Sequence, residues 1–133
     1  MSAKKILIVD DDEHLVLGLA AKLKAAGYAV VSAMDGVAAV AVARQEAPDL
    51  ILLDLGLPAG DGFLVLGRLR AMTEFVATPI IVLSARDPAG NEQRALQAGA
   101  VAFVQKPPEN RELLSAIRQA LREEVAMSQF LKT

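Results

Sequence analysis

At 133 residues, 53% hydrophobic and 23% charged, the chain is one folded domain with a single sizeable core, and disorder is excluded. With 14 basic and 16 acidic residues the net charge is −2 and no basic stripe stands out, which argues against direct nucleic-acid binding by this chain. The absence of cysteine rules out disulfides and thiolate metal sites and suits a reducing compartment.

The first expected strand is Ile6 to Val9, a fully apolar run that ends in Asp10-Asp11-Asp12-Glu13. Three adjacent Asp residues repel one another, so either the run is a solvated face or something compensates it. Asp12 has a local use as the N-cap of the following helix, in which Leu15, Val16, Leu19, Ala20 and Leu23 recur at helical spacing before Gly27. His14, the only histidine, reads as a solvated first-turn residue. Tyr28 to Ala33 forms a second strand, and Asp35-Gly36 opens an alanine- and valine-rich helix through Glu46 that Pro48 ends.

Leu50 to Leu53 is the next buried strand, closed by Asp54, Gly56 and Pro58. A loop through Gly60 and Asp61-Gly62 leads into a helix with Phe63, Leu66 and Leu69 on one face. Thr78-Pro79 introduces the strand Ile80 to Leu83, followed by Ser84-Ala85, a looser loop with Pro88 and Gly90, and a short helix from about Asn91 to Ala98. The last strand, Ala102 to Gln105, runs into Lys106-Pro107-Pro108. The final helix begins near Glu109 or Asn110 and buries Leu113, Leu114, Ile117 and Leu121; its pattern extends through Val125 toward Phe130. Five apolar strands alternating with five amphipathic helices describe a single-domain α/β fold, a (βα)5 parallel sheet with helices on both faces.

In such a sheet, chemistry sits beyond the carboxyl ends of the strands. Those ends carry Asp10 and Asp11, Asp54, Ser84 and Lys106. Clustered carboxylates suit a hard cation such as Mg²⁺, which takes oxygen ligands and commonly joins carboxylates to phosphate oxygens. Lysine adds a point charge and serine a hydroxyl donor. That set suits phosphoryl transfer, in which the carboxylate can itself become an aspartyl phosphate.

The chain resembles the receiver domain of two-component response regulators. The motifs that carry the resemblance are ILIVDDDE at 6–13, DLILLDLGLP at 49–58, DGF at 61–63, TPIIVLSA at 78–85 and GAVAFVQKPPE at 99–109, in the family's order and spacing. The resemblance implies a flavodoxin-like strand order 2-1-3-4-5, with residues 1–122 as the receiver and 123–133 as a C-terminal helical extension or tail. It implies Asp54 as phosphoacceptor, with Mg²⁺ held by Asp10, Asp11, Asp54 and the Gly56 carbonyl. Ser84 and Lys106 would meet the phosphoryl group, Ser84 and Phe103 would act as switch residues, and Gly56 and Arg86 would modulate hydrolysis. Lys106-Pro107 is expected to be cis. Phe103, lacking a hydroxyl, would switch by packing alone. Gly60 replaces a bulkier loop residue, and Pro108 stiffens the last turn.

The expected partner is a histidine kinase or histidine phosphotransfer protein, with an unknown effector domain or output protein downstream. The resemblance implies a signalling switch that catalyses only its own phosphorylation and dephosphorylation rather than a turnover enzyme, and a cytoplasmic location is expected, since no signal-peptide pattern or membrane-length apolar run is present. The dozen residues after Leu121 are too few for an effector, so the chain reads as a stand-alone receiver or a piece of a hybrid kinase or larger regulator. An Asp-nucleophile phosphohydrolase would carry a second Asp where Gly56 stands, and a nucleotide-binding protein would have a Gly-rich loop where Asp10-Asp11-Asp12 stands. The remaining alternative is a non-phosphorylated pseudo-receiver that docks proteins.

Overall fold

A computed structural model describes residues 3–58 and 61–123. Five strands, β1 (Lys5–Val9), β2 (Ala29–Ala33), β3 (Leu50–Leu53), β4 (Ile80–Ser84) and β5 (Ala102–Gln105), alternate with α1 (Glu13–Ala25), α2 (Gly36–Glu46), α3 (Gly62–Ala71), α4 (Pro88–Gln97) and α5 (Asn110–Leu121). The strands form one parallel sheet in the order β2-β1-β3-β4-β5, as expected.

The apolar runs are apolar because both faces of the sheet are covered. On one side, Ile6, Ile8, Leu50, Leu52, Ile81 and Leu83 pack under α1 and α5 through Leu19, Leu23, Leu113 and Ile117. On the other, Leu7, Val9, Ile51, Leu53, Ile80 and Val82 pack under α2, α3 and α4. No residue of β3 is more than 1% exposed. Burying such a side chain contributes about 1.5–3 kcal/mol, so β3, like β1 and β4, is firmly anchored next to the chemistry.

The helix starts are set by carboxylate caps: Asp12, Asp35, Asp61 and Asp87 each accept a backbone N–H of the first turn. Gly27 follows α1 with φ 98, and Ala47 turns left-handed at the end of α2 just ahead of Pro48.

Several expectations are corrected in detail. Ser84 belongs to β4 rather than following it. A 3₁₀ turn, Thr73–Phe75, intervenes before β4 and buries Phe75; three residues are too few for a periodic signal. Leu114 and Leu121 are only half-buried, because α5 meets the sheet along the narrower stripe of Leu113 and Ile117. α5 ends at Leu121, with Arg122 left-handed. The continuation through Val125 toward Phe130 and the loop position Gly60 lie outside the described residues. Among the described residues, no helix is long and apolar enough to cross a membrane.

Candidate functional site

Parallel register alone brings the polar strand ends together. Val9 of β1 pairs with Leu53 of β3, so Asp10 and Asp54, each one residue further on, leave adjacent strands side by side. Their backbones continue the ladder: Asp54 N–H donates to the Val9 carbonyl at 3.0 Å and Asp10 N–H to that of Ala33 at 3.0 Å. Across the sheet Ser84 pairs with Gln105, and Lys106 N–H donates to the Ser84 carbonyl at 2.8 Å. Asp10, Asp54 and Ser84 are the buried polar residues of the described fold, and all three lie at this edge.

The charges are arranged around one lysine. Lys106 Nζ donates to Asp10 Oδ2 at 2.7 Å and lies 3.5 Å from Asp54 Oδ1. The other oxygen of Asp10 accepts the Asp12 N–H at 2.9 Å, while Asp12 turns its own carboxylate to Leu15 N–H as the α1 cap. The three-Asp run is thus divided: Asp12 caps, Asp10 pairs with Lys106, and Asp11 stays exposed beside Asp10 and Asp54. Burial pushes the Asp54 carboxyl above its usual range; Lys106 offsets part of this, Asp10 adds to it, and the Gly56 N–H eases it. For Lys106, burial alone would lower the pKa, but the carboxylates of Asp10 and then Asp54 override it and raise the group above the normal lysine value.

Oxygens of Asp10, Asp11 and Asp54 lie within 4.8 Å of one another. An all-oxygen donor set with one exposed and two buried carboxylates fits a hard divalent cation that retains waters, and it does not fit a soft metal. Gly56 stands beside this group: a Cβ placed there would be 3.7 Å from Asp54 Oδ2, so the position leaves the carboxylate open.

Ser84 is fully buried, and its Oγ accepts the Arg86 N–H at 3.1 Å, which leaves its own hydroxyl proton available to donate. The Arg86 guanidinium donates to the Leu55 carbonyl at 3.3 Å and stands 3.7 Å from Asp61. Phe103, half-buried on β5, pairs in register with Val82 and packs into the cluster beneath α2, α3 and α4. Lys106-Pro107 is cis.

Two features escape sequence reasoning. In the sequence Asp61 is only part of the loop ahead of a helix; neither its cap bond to Phe63 N–H nor its pairing with Arg86, which arrives from another loop, is read there. Gly62 packs against the Asp54 backbone so closely that an added Cβ would fall 2.3 Å from the Asp54 carbonyl oxygen. Only the Asp-Gly pair at a helix start hints at either.

The geometry agrees with known proteins. Residues 6–118 match the family model described as response regulator receiver domain. The transcriptional regulatory protein KdpE of Mycobacterium tuberculosis is 38% identical over 93% of this chain and 54% of its own length. Response regulator PleD of Caulobacter vibrioides is 40% identical over 92% of the chain and 27% of its own. The chain therefore spans about half the length, or less, of these curated relatives. Among solved structures, the receiver domain of the sensor histidine kinase PA1611 from Pseudomonas aeruginosa superimposes with a TM-score of 0.83. It is 31% identical, the match covers 92% of this chain and all of that one, and it holds a magnesium ion in its active-site cleft. A parallel sheet in this order, an acidic cluster at its carboxyl edge and a family match over most of the length lead to one conclusion: the chain belongs to the receiver domains of two-component response regulators.

Proposed function

We propose that Asp54 accepts a phosphoryl group from the phosphohistidine of a histidine kinase or histidine phosphotransfer protein. The observation that carries the reading is the lysine-bridged carboxylate pair, Asp10–Lys106–Asp54, beside Asp11 and the Ser84 hydroxyl at one sheet edge. In the transfer, an Asp54 oxygen forms a bond to phosphorus as the N–P bond breaks, and the imidazole leaves with its electron pair. Asp10, Asp11, Asp54 and the Gly56 carbonyl are the groups that would hold Mg²⁺, which supplies neutralisation of the phosphoryl oxygens.

The side chains then divide the work. Ser84 turns its hydroxyl from the Arg86 N–H to a phosphoryl oxygen, and Lys106 shifts its charge from Asp10 toward the acyl phosphate. Ser84 and Lys106 thereby exchange their resting partners for a group of about −2 charge, and such differential contacts are what a population shift requires. Phe103 follows by repacking, since it has no hydroxyl to bond. Gly56 and Arg86 set how readily water reaches the acyl phosphate. The output surface is the face of α4, β5 and α5, and the domain is a switch that catalyses only its own phosphorylation and dephosphorylation.

Intact mass after treatment with acetyl phosphate tests this. The expected result is one added phosphoryl group that requires Mg²⁺ and is lost in Asp54→Asn. A protein that stays unmodified under every condition would favour the docking pseudo-receiver instead.

A further inference from the structure

α4 is weakly anchored. Of its ten residues only Ala95 is buried, whereas α3 buries five of ten. Its first turn is irregular: Ala89 has ψ 115 and Gly90 has φ 78, a left-handed conformation that glycine adopts freely, so regular helix begins only at Asn91. Asn91 donates its side-chain N–H only to the Asp87 carbonyl at the start of the same helix, at 2.9 Å; among the described residues, the directed side-chain contact from α4 to another helix is that of Arg94. This exposed residue lays its guanidinium 3.8 Å over the Phe63 ring.

Phe63 is a firm seat. It is buried as the second residue of α3, and its N–H is held by Asp61 at 3.0 Å. Asp61 faces Arg86 at 3.7 Å, and the Arg86 guanidinium lies 5.9 Å from the same ring. Arg86 in turn holds the Ser84 hydroxyl through its backbone and the Leu55 carbonyl, one residue beyond Asp54, through its side chain. A continuous set of contacts therefore runs from the Asp54 site to Arg94.

We propose that the Arg94–Phe63 stack is a latch that holds α4 in its resting position, and that Arg86 and Asp61 connect the latch to the Asp54 site. The input to the latch rests on the phosphoacceptor reading above. A dianion on Asp54 claims the Ser84 hydroxyl and attracts the Arg86 guanidinium, and both movements loosen the bracket beside Phe63. The latch stabilises the resting state alone, so its removal favours the occupied state. Arg94 is a positioning residue and touches no reacting atom.

The test is a double-mutant cycle of Arg94→Ala and Phe63→Leu, with Arg94→Lys as the conservative variant. Arg94 is exposed, and leucine keeps most of the apolar volume at Phe63, so each variant should fold. Amide exchange across residues 88–98 is followed in the metal-free protein, and beryllofluoride affinity in Mg²⁺ is followed by fluorine NMR. Loss of an exposed cation–π contact should speed exchange in α4 and tighten beryllofluoride binding by about two- to five-fold. Both single variants should do this, the double variant should do no more than either, and Arg94→Lys should fall between. Unchanged exchange in Arg94→Ala, or effects that add in the double variant, would overturn the latch. Faster exchange with unchanged beryllofluoride affinity would overturn its link to the site. If the wild type itself bound no beryllofluoride, the phosphoacceptor reading would fail, and exchange in α4 alone would decide the latch.

Discussion

Replacing Gly62 by alanine should damage this protein far more than its place in a helix suggests. An added Cβ would meet the Asp54 carbonyl oxygen at 2.3 Å and Leu55 Cα at 2.5 Å. Both are backbone atoms of a segment tied down by Asp54 N–H to Val9 and by Gly62 N–H to the Leu55 carbonyl at 2.9 Å. No flexible side chain can yield, so α3 and the loop after Asp54 must separate by roughly 1 Å, an overpacking cost of about 3 kcal/mol. For a domain of this size that lowers Tm by about 10 °C. Gly67, on the exposed side of the same helix, has no atom within 4 Å of an added Cβ, and alanine there should stabilise by about 0.5–1 kcal/mol. Thermal and urea unfolding followed by circular dichroism would show two identical substitutions in one helix with opposite signs. If Gly62→Ala matched the wild type, or if both variants shifted in the same direction, the close approach of α3 to the phosphoacceptor backbone would be wrong.

Lys106→Met leaves Asp10 and Asp54 facing each other without their shared cation, and should cost about 3 kcal/mol at neutral pH in metal-free protein. Because a divalent cation neutralises the same carboxylates, Mg²⁺ should raise the Tm of this variant more than that of wild type; equal gains would count against the arrangement. Tyr28 is the only tyrosine, so its ionisation can be read directly from phenolate absorbance. Burial and the hydrogen bond its hydroxyl donates to Glu123 at 2.8 Å push its pKa up to about 12. Glu123→Gln should bring it part of the way back, since burial is the larger cause. The folded state holds this proton more tightly than the unfolded one. The associated stability is therefore intact below pH 10 and lost between about pH 10 and 12, at ~1.4 kcal/mol per pH unit. A midpoint near 10 in the folded protein would refute the burial of Tyr28.

The sheet was legible because β1, β3 and β4 are covered on both faces, and apolar runs of four or five residues bounded by Asp or Pro are too short for buried helices. The β1 and β3 runs delivered Asp10 and Asp54 to one edge, and β5 brought Lys106 to the same edge, since register follows once the strands are parallel and adjacent. Residues whose role depends on geometry between elements were harder to see. Ser84 was legible at the end of β4, but nothing local shows that the strand extends one residue to pair it with Gln105. Leu114 and Leu121 sit at helical spacing, yet α5 is too lightly seated to bury them. Arg94 over Phe63 joins two helices that share no sequence pattern, and the charge of Arg94 alone reads as a solvated surface. The closeness of Gly62 to Asp54 is a matter of tenths of an ångström between backbones, which composition does not encode.

The central claim is that Asp54, among three neighbouring carboxylates, carries the phosphoryl group. The most direct test is borohydride trapping after incubation with a phosphorylated histidine phosphotransfer protein and Mg²⁺, followed by peptide mass mapping. Reduction of an aspartyl phosphate gives homoserine, so the account predicts homoserine at position 54, absent when Mg²⁺ is chelated. Homoserine at position 10 or 11, or a phosphate that survives on Ser84, would contradict it.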